Sequence, residues 1–147
     1  QNIEFPIRAQ IFYRNYKVST PINSIIDNVL NLVKLDHNIK NKYPNELSGG
    51  MKRRVNLARM IITDSNLFMY DEPTTGLDYV TKKSVIQCIK NIHKEQKLTS
   101  IMVTHDLQAA LYLGTRFCIL SKENIQIYND CDALLKSNHP LVEEQII

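Results

Sequence analysis

The segment Leu67-Phe68-Met69-Tyr70-Asp71-Glu72-Pro73 limits the fold more than any other stretch of the chain. Four consecutive apolar residues are too few for a helix and lack the alternation of a half-exposed strand. They read as a short strand covered on both faces, the normal state of parallel strands in an α/β sheet. Pro73 closes the segment because it has no N–H to donate to a ladder. Asp71 and Glu72 therefore arrive at the C-terminal tip of a buried strand, where side chains alternate in direction. That geometry suits two tasks in phosphoryl transfer: Asp71 toward a Mg²⁺ ion and Glu72 toward an attacking water as general base. Taken by itself, Asp-Glu-Pro after a strand is more commonly a solvated turn.

The flanking patterns supply the rest of an α/β layer. Ser19 or Thr20 before Pro21 reads as a helix start. Ile22, Ile25, Ile26, Val29, Leu32 and Val33 then keep 3.6-residue spacing to about Leu35. Pro44 ends the stretch after that helix, and Ser48-Gly49-Gly50 opens a second helix with Met51, Val55, Ala58 and Ile62 on one face. After the strand, an amphipathic helix is expected over residues 79–96. A second buried strand is expected over 100–104, followed by His105-Asp106 and another helix. Residues 117–120 and 125–128 read as two more strands, and a last helix falls near 131–136. Residues 1–18 have no clear period and read as a connection with a short extended or helical piece. Strands alternating with helices after a helix-only segment imply an α/β class.

Composition excludes several alternatives. At 147 residues with 44% hydrophobic content, the chain fits one domain or most of one. Its 18 basic and 15 acidic residues are dispersed, so nothing marks a nucleic-acid arm and no nucleic-acid partner is expected. Cys88, Cys118 and Cys131 lie far apart without CxxC spacing, which reads as reduced thiols rather than a disulfide framework or zinc site. No apolar run approaches the roughly 20 residues that cross a bilayer.

Three further features bear on chemistry. Ser48, Gly49 and Gly50 at a helix start expose backbone N–H groups to an anion, and absent side chains allow close approach. Read alone, Ser-Gly-Gly is more often a cap and a turn. His105 emerges at the C-terminal edge of a strand, where α/β sheets place ligands and an imidazole can meet a phosphate or orient water; a lone His there is more often structural. Asp78, after Gly76-Leu77, is a helix N-cap on local grounds. His37, His93 and His139 fall in loops or on a helix face.

The order Leu-Ser-Gly-Gly-x-x-x-Arg, four apolar residues with Asp-Glu-Pro-Thr-Thr-Gly-Leu-Asp, and Thr-His-Asp after a strand closely resembles the ABC ATPase family. The resemblance covers essentially the whole chain: 47–51 resembles the signature motif, 67–72 Walker B, 76–78 the D-loop and His105 the switch histidine. It implies a P-loop NTPase-like nucleotide-binding domain lacking its N-terminal part. Residues about 10–60 would form a helical subdomain and about 65–147 the remaining parallel-sheet core. It implies ATP and Mg²⁺ as cofactors, and a head-to-tail dimer with a second ABC ATPase subunit. Ser48, Gly49 and Gly50 would touch the γ-phosphate of the opposite subunit's nucleotide. Asp71 would position Mg²⁺, Glu72 activate water, His105 sense the γ-phosphate and Asp78 link the two sites. The helical subdomain would couple to a transmembrane permease, placing the subunit peripherally on the cytoplasmic or plastid stromal face of a membrane.

No GxxxxGK[ST] loop occurs in the 147 residues. In the family it lies upstream, so the sequence reads as the C-terminal part of a subunit, unable to hold ATP in cis. Gln10 is rejected as the family's Gln loop, because Asn2-Ile3-Glu4-Phe5-Pro6-Ile7-Arg8 resembles the segment just after it. Tyr79 departs from the Pro many relatives carry, which puts the start of the next helix in doubt. Met51-Lys52-Arg53-Arg54, Phe5-Pro6-Ile7-Arg8 and Asn138-His139-Pro140-Leu141-Val142 resemble the ATPases of MCE-type (Mla-type) systems, implying phospholipid or hydrophobic-compound transport with an MCE-domain protein as partner. Amino-acid importers and lipoprotein-export or cell-division ATPases share most of these motifs. Soluble ABC proteins of DNA repair or translation are the alternative from another class.

Overall fold

The computed structural model describes residues 3–14, 20–63, 65–121 and 124–146. The chain divides into two compact units, Gln1–Ile101 and Met102–Ile147.

The first unit begins with helix α1, Phe5–Arg14, where sequence periodicity gave no clear pattern. Pro6 sits in its first turn, where the missing N–H is harmless. Glu4 and Arg8 pair at 2.7 Å across one turn, and Ile3 and Ile7, one turn apart, are both buried. Helix α2 spans Ile22–Leu32, three residues shorter than the expected end at Leu35. Lys34 adopts φ 54° and ends the regular turn, yet Val33 and Leu35 remain buried beyond it. No side chain caps this helix: Pro21 occupies the cap position, and its carbonyl accepts from the amides of Ser24 and Ile25 at 2.9 and 3.3 Å. The expected hydroxyl cap is thus replaced by a backbone one; Ser19 lies outside the described residues. Two 3-10 turns, His37–Asn41 and Pro44–Glu46, lead to helix α3, Gly49–Ile62. Pro44 therefore opens a turn rather than only closing one.

Strand β1 is Leu67–Asp71, helix α4 is Tyr79–Gln96 and strand β2 is Thr99–Val103. β1 and β2 are neighbours in a two-stranded parallel sheet, with α4 as the crossover. Helix α3 packs against α1, α2 and α4, and α2 also meets α4. Leu30, Val33, Val85, Cys88, Ile89 and Ile92 form the fully buried centre of this helical layer. Each large aliphatic side chain buried there contributes about 1.5–3 kcal/mol. The strands are less covered than their composition predicts. In β1 only Phe68 and Tyr70 are buried, while Leu67 and Met69 are exposed. β2 is mostly exposed, Ile101 and Val103 included. The expectation of two-sided burial is corrected accordingly: in this chain helices cover one face of β1.

Tyr70 shows how that face is fixed. Its hydroxyl lies 3.1 Å from Nε2 of His93 on α4, and Nδ1 of His93 lies 3.3 Å from the carbonyl oxygen of Leu98. A carbonyl only accepts, so Nδ1 donates to Leu98, and Nε2 is the nitrogen left to accept from the Tyr70 hydroxyl. Burial pushes the Tyr70 hydroxyl well above its ordinary pKa. His93, to which the sequence assigns no chemistry, thus ties the sheet to its crossover helix.

The second unit holds helix α5, Leu107–Leu113, strands β3, Phe117–Leu120, and β4, Ile125–Tyr128, then helices α6, Cys131–Leu135, and α7, Pro140–Ile146. β3 and β4 form an antiparallel hairpin pairing Phe117 with Tyr128 and Leu120 with Ile125. Phe117, Leu134 and Val142 make its small core, with Leu107, Ala110 and Leu111 packed against them. α7 lies beyond the elements expected from sequence; His139 marks its start, its Nδ1 accepting from the amide of Leu141 at 3.2 Å.

Candidate functional site

Ser48, Gly49, Gly50, Asp71, Glu72 and Asp78 all belong to the first unit, and His105 to the second. Ser48 is the N-cap of α3: extended at ψ 162°, its hydroxyl accepts from the Met51 amide at 3.3 Å. That bond occupies the Met51 amide; the first-turn amides of Gly49 and Gly50 have no intrahelical acceptor, the kind of group that can receive an anion at a helix start.

The two glycines have a packing reason of their own. A Cβ on Gly49 would sit 3.3 Å from Cδ2 of Leu77, and one on Gly50 would overlap Cγ2 of Thr81. Gly50 is buried. The start of α3 is therefore pressed against the 77–81 segment of the same chain, and Arg53 strengthens this contact by donating to the Thr75 carbonyl at 3.3 Å. The next residue, Arg54, donates to the Lys34 carbonyl at 3.1 Å and to the Ser84 hydroxyl of α4.

Asp71 is the exposed last residue of β1, and Glu72 follows half-buried. The backbone at Glu72 enters the left-handed region at φ 44°, which costs a residue with a Cβ roughly 1–2 kcal/mol. A compact turn holds it there. The Thr75 amide donates to the Glu72 carbonyl at 3.4 Å, and the Leu77 amide to the Thr74 carbonyl at 3.3 Å. The Thr75 hydroxyl donates to Glu72 Oε2 at 2.9 Å. Thr74 is the one buried polar residue among those described. Gly76, at φ 76°, supplies the left-handed step that ends the turn.

Asp78 then caps α4, accepting from the Thr81 amide at 3.0 Å. Hydrogen bonds from the Thr81 side chain first, and its backbone amide second, hold the Asp78 carboxyl below the usual range. The helix starts at Tyr79 despite the departure from Pro there. Thus the structure brings together the 48–53 and 71–81 segments through Gly49–Leu77, Gly50–Thr81 and Arg53–Thr75. Motif reading passes over Thr75 and Arg53. The only signal for Thr75 is a hydroxyl three residues after Glu72 in a turn; the Arg53 contact spans 22 residues and leaves no local trace.

In the second unit, exposed His105 lies in the turn between β2 and α5. Its neighbours tie that turn: the Thr104 hydroxyl accepts from the Asp106 amide at 3.1 Å, and Asp106 caps α5 by accepting from Ala109 at 3.1 Å. Gln10, the rejected loop candidate, donates to the Thr63 carbonyl at 2.6 Å, sealing the C-terminal end of α3 against α1.

Among the described residues no group of three or more His, Cys, Asp or Glu converges as a metal cage. The donor set at the tip of β1 fits Mg²⁺, which holds few protein carboxylates and fills its octahedron with phosphate oxygens and water. No helix among the described residues is long and apolar enough to cross a membrane.

Residues 4–75 match the family model described as ABC transporter. The chain is 35% identical over 136 residues to the methionine import ATP-binding protein of Coxiella burnetii, covering 92% of this chain and 37% of that protein. It is 38% identical over 121 residues to the energy-coupling factor transporter ATP-binding protein of Clostridium tetani, covering 77% of this chain and 42% of that one. A dimeric ATP-binding cassette solved in a post-hydrolysis state with ADP and Pi matches with a TM-score of 0.67 at 28% identity, over 86% of this chain and 56% of that chain. The chain spans less than half the length of these two curated relatives. The fold is α/β with helices and a parallel sheet, P-loop NTPase-like, and its structural neighbours are ABC ATPase nucleotide-binding domains. More narrowly, residues 4–75 carry the ABC transporter match, and the chain is homologous to many ABC ATPases.

Proposed function

We propose that the whole protein hydrolyses ATP to drive an ABC transporter, and that this chain contributes the water-activating and signature elements. The observation that carries this reading is the tip of β1, where Asp71 is exposed and a threonine hydroxyl fixes the Glu72 carboxylate. Glu72 would take a proton from the attacking water. Asp71 would stand on the side of Mg²⁺, which when bound neutralises developing phosphate charge. His105 would donate to or orient at the γ-phosphate. Ser48, Gly49 and Gly50 would present the start of α3 to the nucleotide of a second ATPase subunit in a head-to-tail dimer; the dimeric cassette to which the chain is similar supports a dimer. Asp78, two residues from Gly76, would link the two sites. Residues about 10–60 would be the helical part that meets a transmembrane permease, and about 65–147 the rest of the core. The subunit would sit peripherally on a membrane through that permease.

In the complete protein, Glu72→Gln should lower turnover by about 10²-fold or more while nucleotide binding persists. Undiminished hydrolysis would remove Glu72 from the role of base.

The finer reading concerns cargo. The Met51–Arg54, Phe5–Arg8 and Asn138–Val142 segments support phospholipid or another hydrophobic compound, with an MCE-domain partner. The name of the Coxiella burnetii relative supports an importer of a small polar solute as the second reading. Transport of a fluorescent phospholipid between vesicles, run beside methionine uptake, separates the two: phospholipid movement alone supports the first, and methionine uptake alone supports the second.

A further inference from the structure

We propose that Thr75 and Arg53 are positioning residues for Glu72, forming a relay from the signature helix to the water-activating carboxylate. This rests on the reading of Glu72 as base. Three observations join in one chain of contacts. The Thr75 hydroxyl donates to Glu72 Oε2 at 2.9 Å. The Thr75 carbonyl accepts from Arg53 Nη2 at 3.3 Å. Arg53 lies in the first turns of α3, whose cap is Ser48 and whose Gly50 is seated against Thr81.

Each link has a distinct physical effect. A hydroxyl donor on one carboxylate oxygen stabilises the ionised form and fixes the plane in which the second oxygen lies. Glu72 needs such a constraint because its backbone is left-handed, at φ 44°, a conformation that persists only when surrounding contacts hold it. Thr75 supplies two of those contacts, through its hydroxyl and through its amide to the Glu72 carbonyl at 3.4 Å. Arg53 in turn holds the Thr75 peptide from α3. A displacement of the start of α3, such as engagement of a phosphate there would produce, is therefore felt at the Glu72 carboxylate through two hydrogen bonds. Signature engagement and water activation are coupled within one subunit, in addition to whatever passes between subunits.

The test uses steady-state and single-turnover ATP hydrolysis by the complete protein. Thr75→Val, which keeps shape and removes the hydroxyl, should lower kcat about tenfold with KM for ATP within about twofold. Thr75→Ser restores most of that loss, and Arg53→Ala lowers kcat by about threefold, with Arg53→Lys recovering part of it. In a Glu72→Gln background Thr75→Val should cause no further loss, because both act through one carboxylate. A general weakening of the fold would fail these checks: the serine would not recover activity, and the losses would multiply. Full kcat in Thr75→Val, or a further loss on top of Glu72→Gln, overturns the relay. Turnover retained by Glu72→Gln itself would refute the base, an outcome distinct from an inert Thr75 beside an essential Glu72.

Discussion

Gly50→Ala, made with and without room at Thr81, separates the packing role of Gly50 from the proposed role toward a nucleotide. An alanine Cβ would overlap Cγ2 of Thr81, whereas Cβ of Thr81 stands at 3.8 Å, an ordinary contact. Thr81 sits in the first turn of α4, and a β-branched side chain there has little rotamer freedom with which to yield. Its rotation is further opposed by hydrogen bonding to Asp78. Relief must therefore come from separation of α3 and α4, an overpacking cost of about 2 kcal/mol. Against this stands the gain from replacing a helical glycine by alanine, about 0.8 kcal/mol. The net expectation is a loss of about 1 kcal/mol, read as a lower urea midpoint with an unchanged m-value. Thr81→Ser deletes the obstructing methyl and retains the hydroxyl. In that background Gly50→Ala should lose its penalty and turn neutral or mildly stabilising. Equal destabilisation in both backgrounds would refute the steric account. If the double variant regains stability but hydrolysis stays impaired, the glycine has a second role toward the nucleotide.

Burial and charge give two more expected outcomes. Burial raises the Cys88 thiol to about 11, and the side chain is enclosed between helices, so a thiol reagent at about pH 8 should label exposed Cys118 rapidly and Cys88 only after denaturation; rapid native labelling of Cys88, resolved by peptide mapping, would contradict this. Asp27 is held below its ordinary pKa, chiefly by its hydrogen bond from Lys40 and to a lesser degree by the charge of Lys40 and the His37 imidazole. A depressed carboxyl adds stability above its unfolded pKa and loses it as pH falls through the folded value. Lys40→Met should therefore lower the melting temperature at about pH 7 and flatten its decline on acidification below about pH 4; an unchanged acid limb would argue against the pairing.

What the sequence discloses depends on how local the cause is. α3 and α4 begin where Ser48 and Asp78 place their capping oxygens, because a cap is set by residues within one turn. β1 falls where its apolar run lies, but composition cannot say what covers a strand, and Leu67 and Met69 stand exposed. α1 is obscured by its mixed pattern: Ile7 is buried while Phe5 and Phe12 are exposed. At the site, Asp71, Glu72, Asp78 and the glycines are visible as motifs. The seating of Gly50 on Thr81 and of Arg53 on Thr75 is not, since those contacts exist only once α3 has docked beside α4.

The left-handed backbone at Glu72 also sets opposing pressures on that position. Glycine or asparagine would occupy φ 44° with less strain. A screen that rewards only thermal resistance should therefore favour discarding the carboxylate, whereas one that rewards turnover should restore it. On the proposed role of Glu72, position 72 would record which of the two pressures prevailed: glutamate where ATP must be cleaved, a residue at ease in the left-handed region where only the fold is kept.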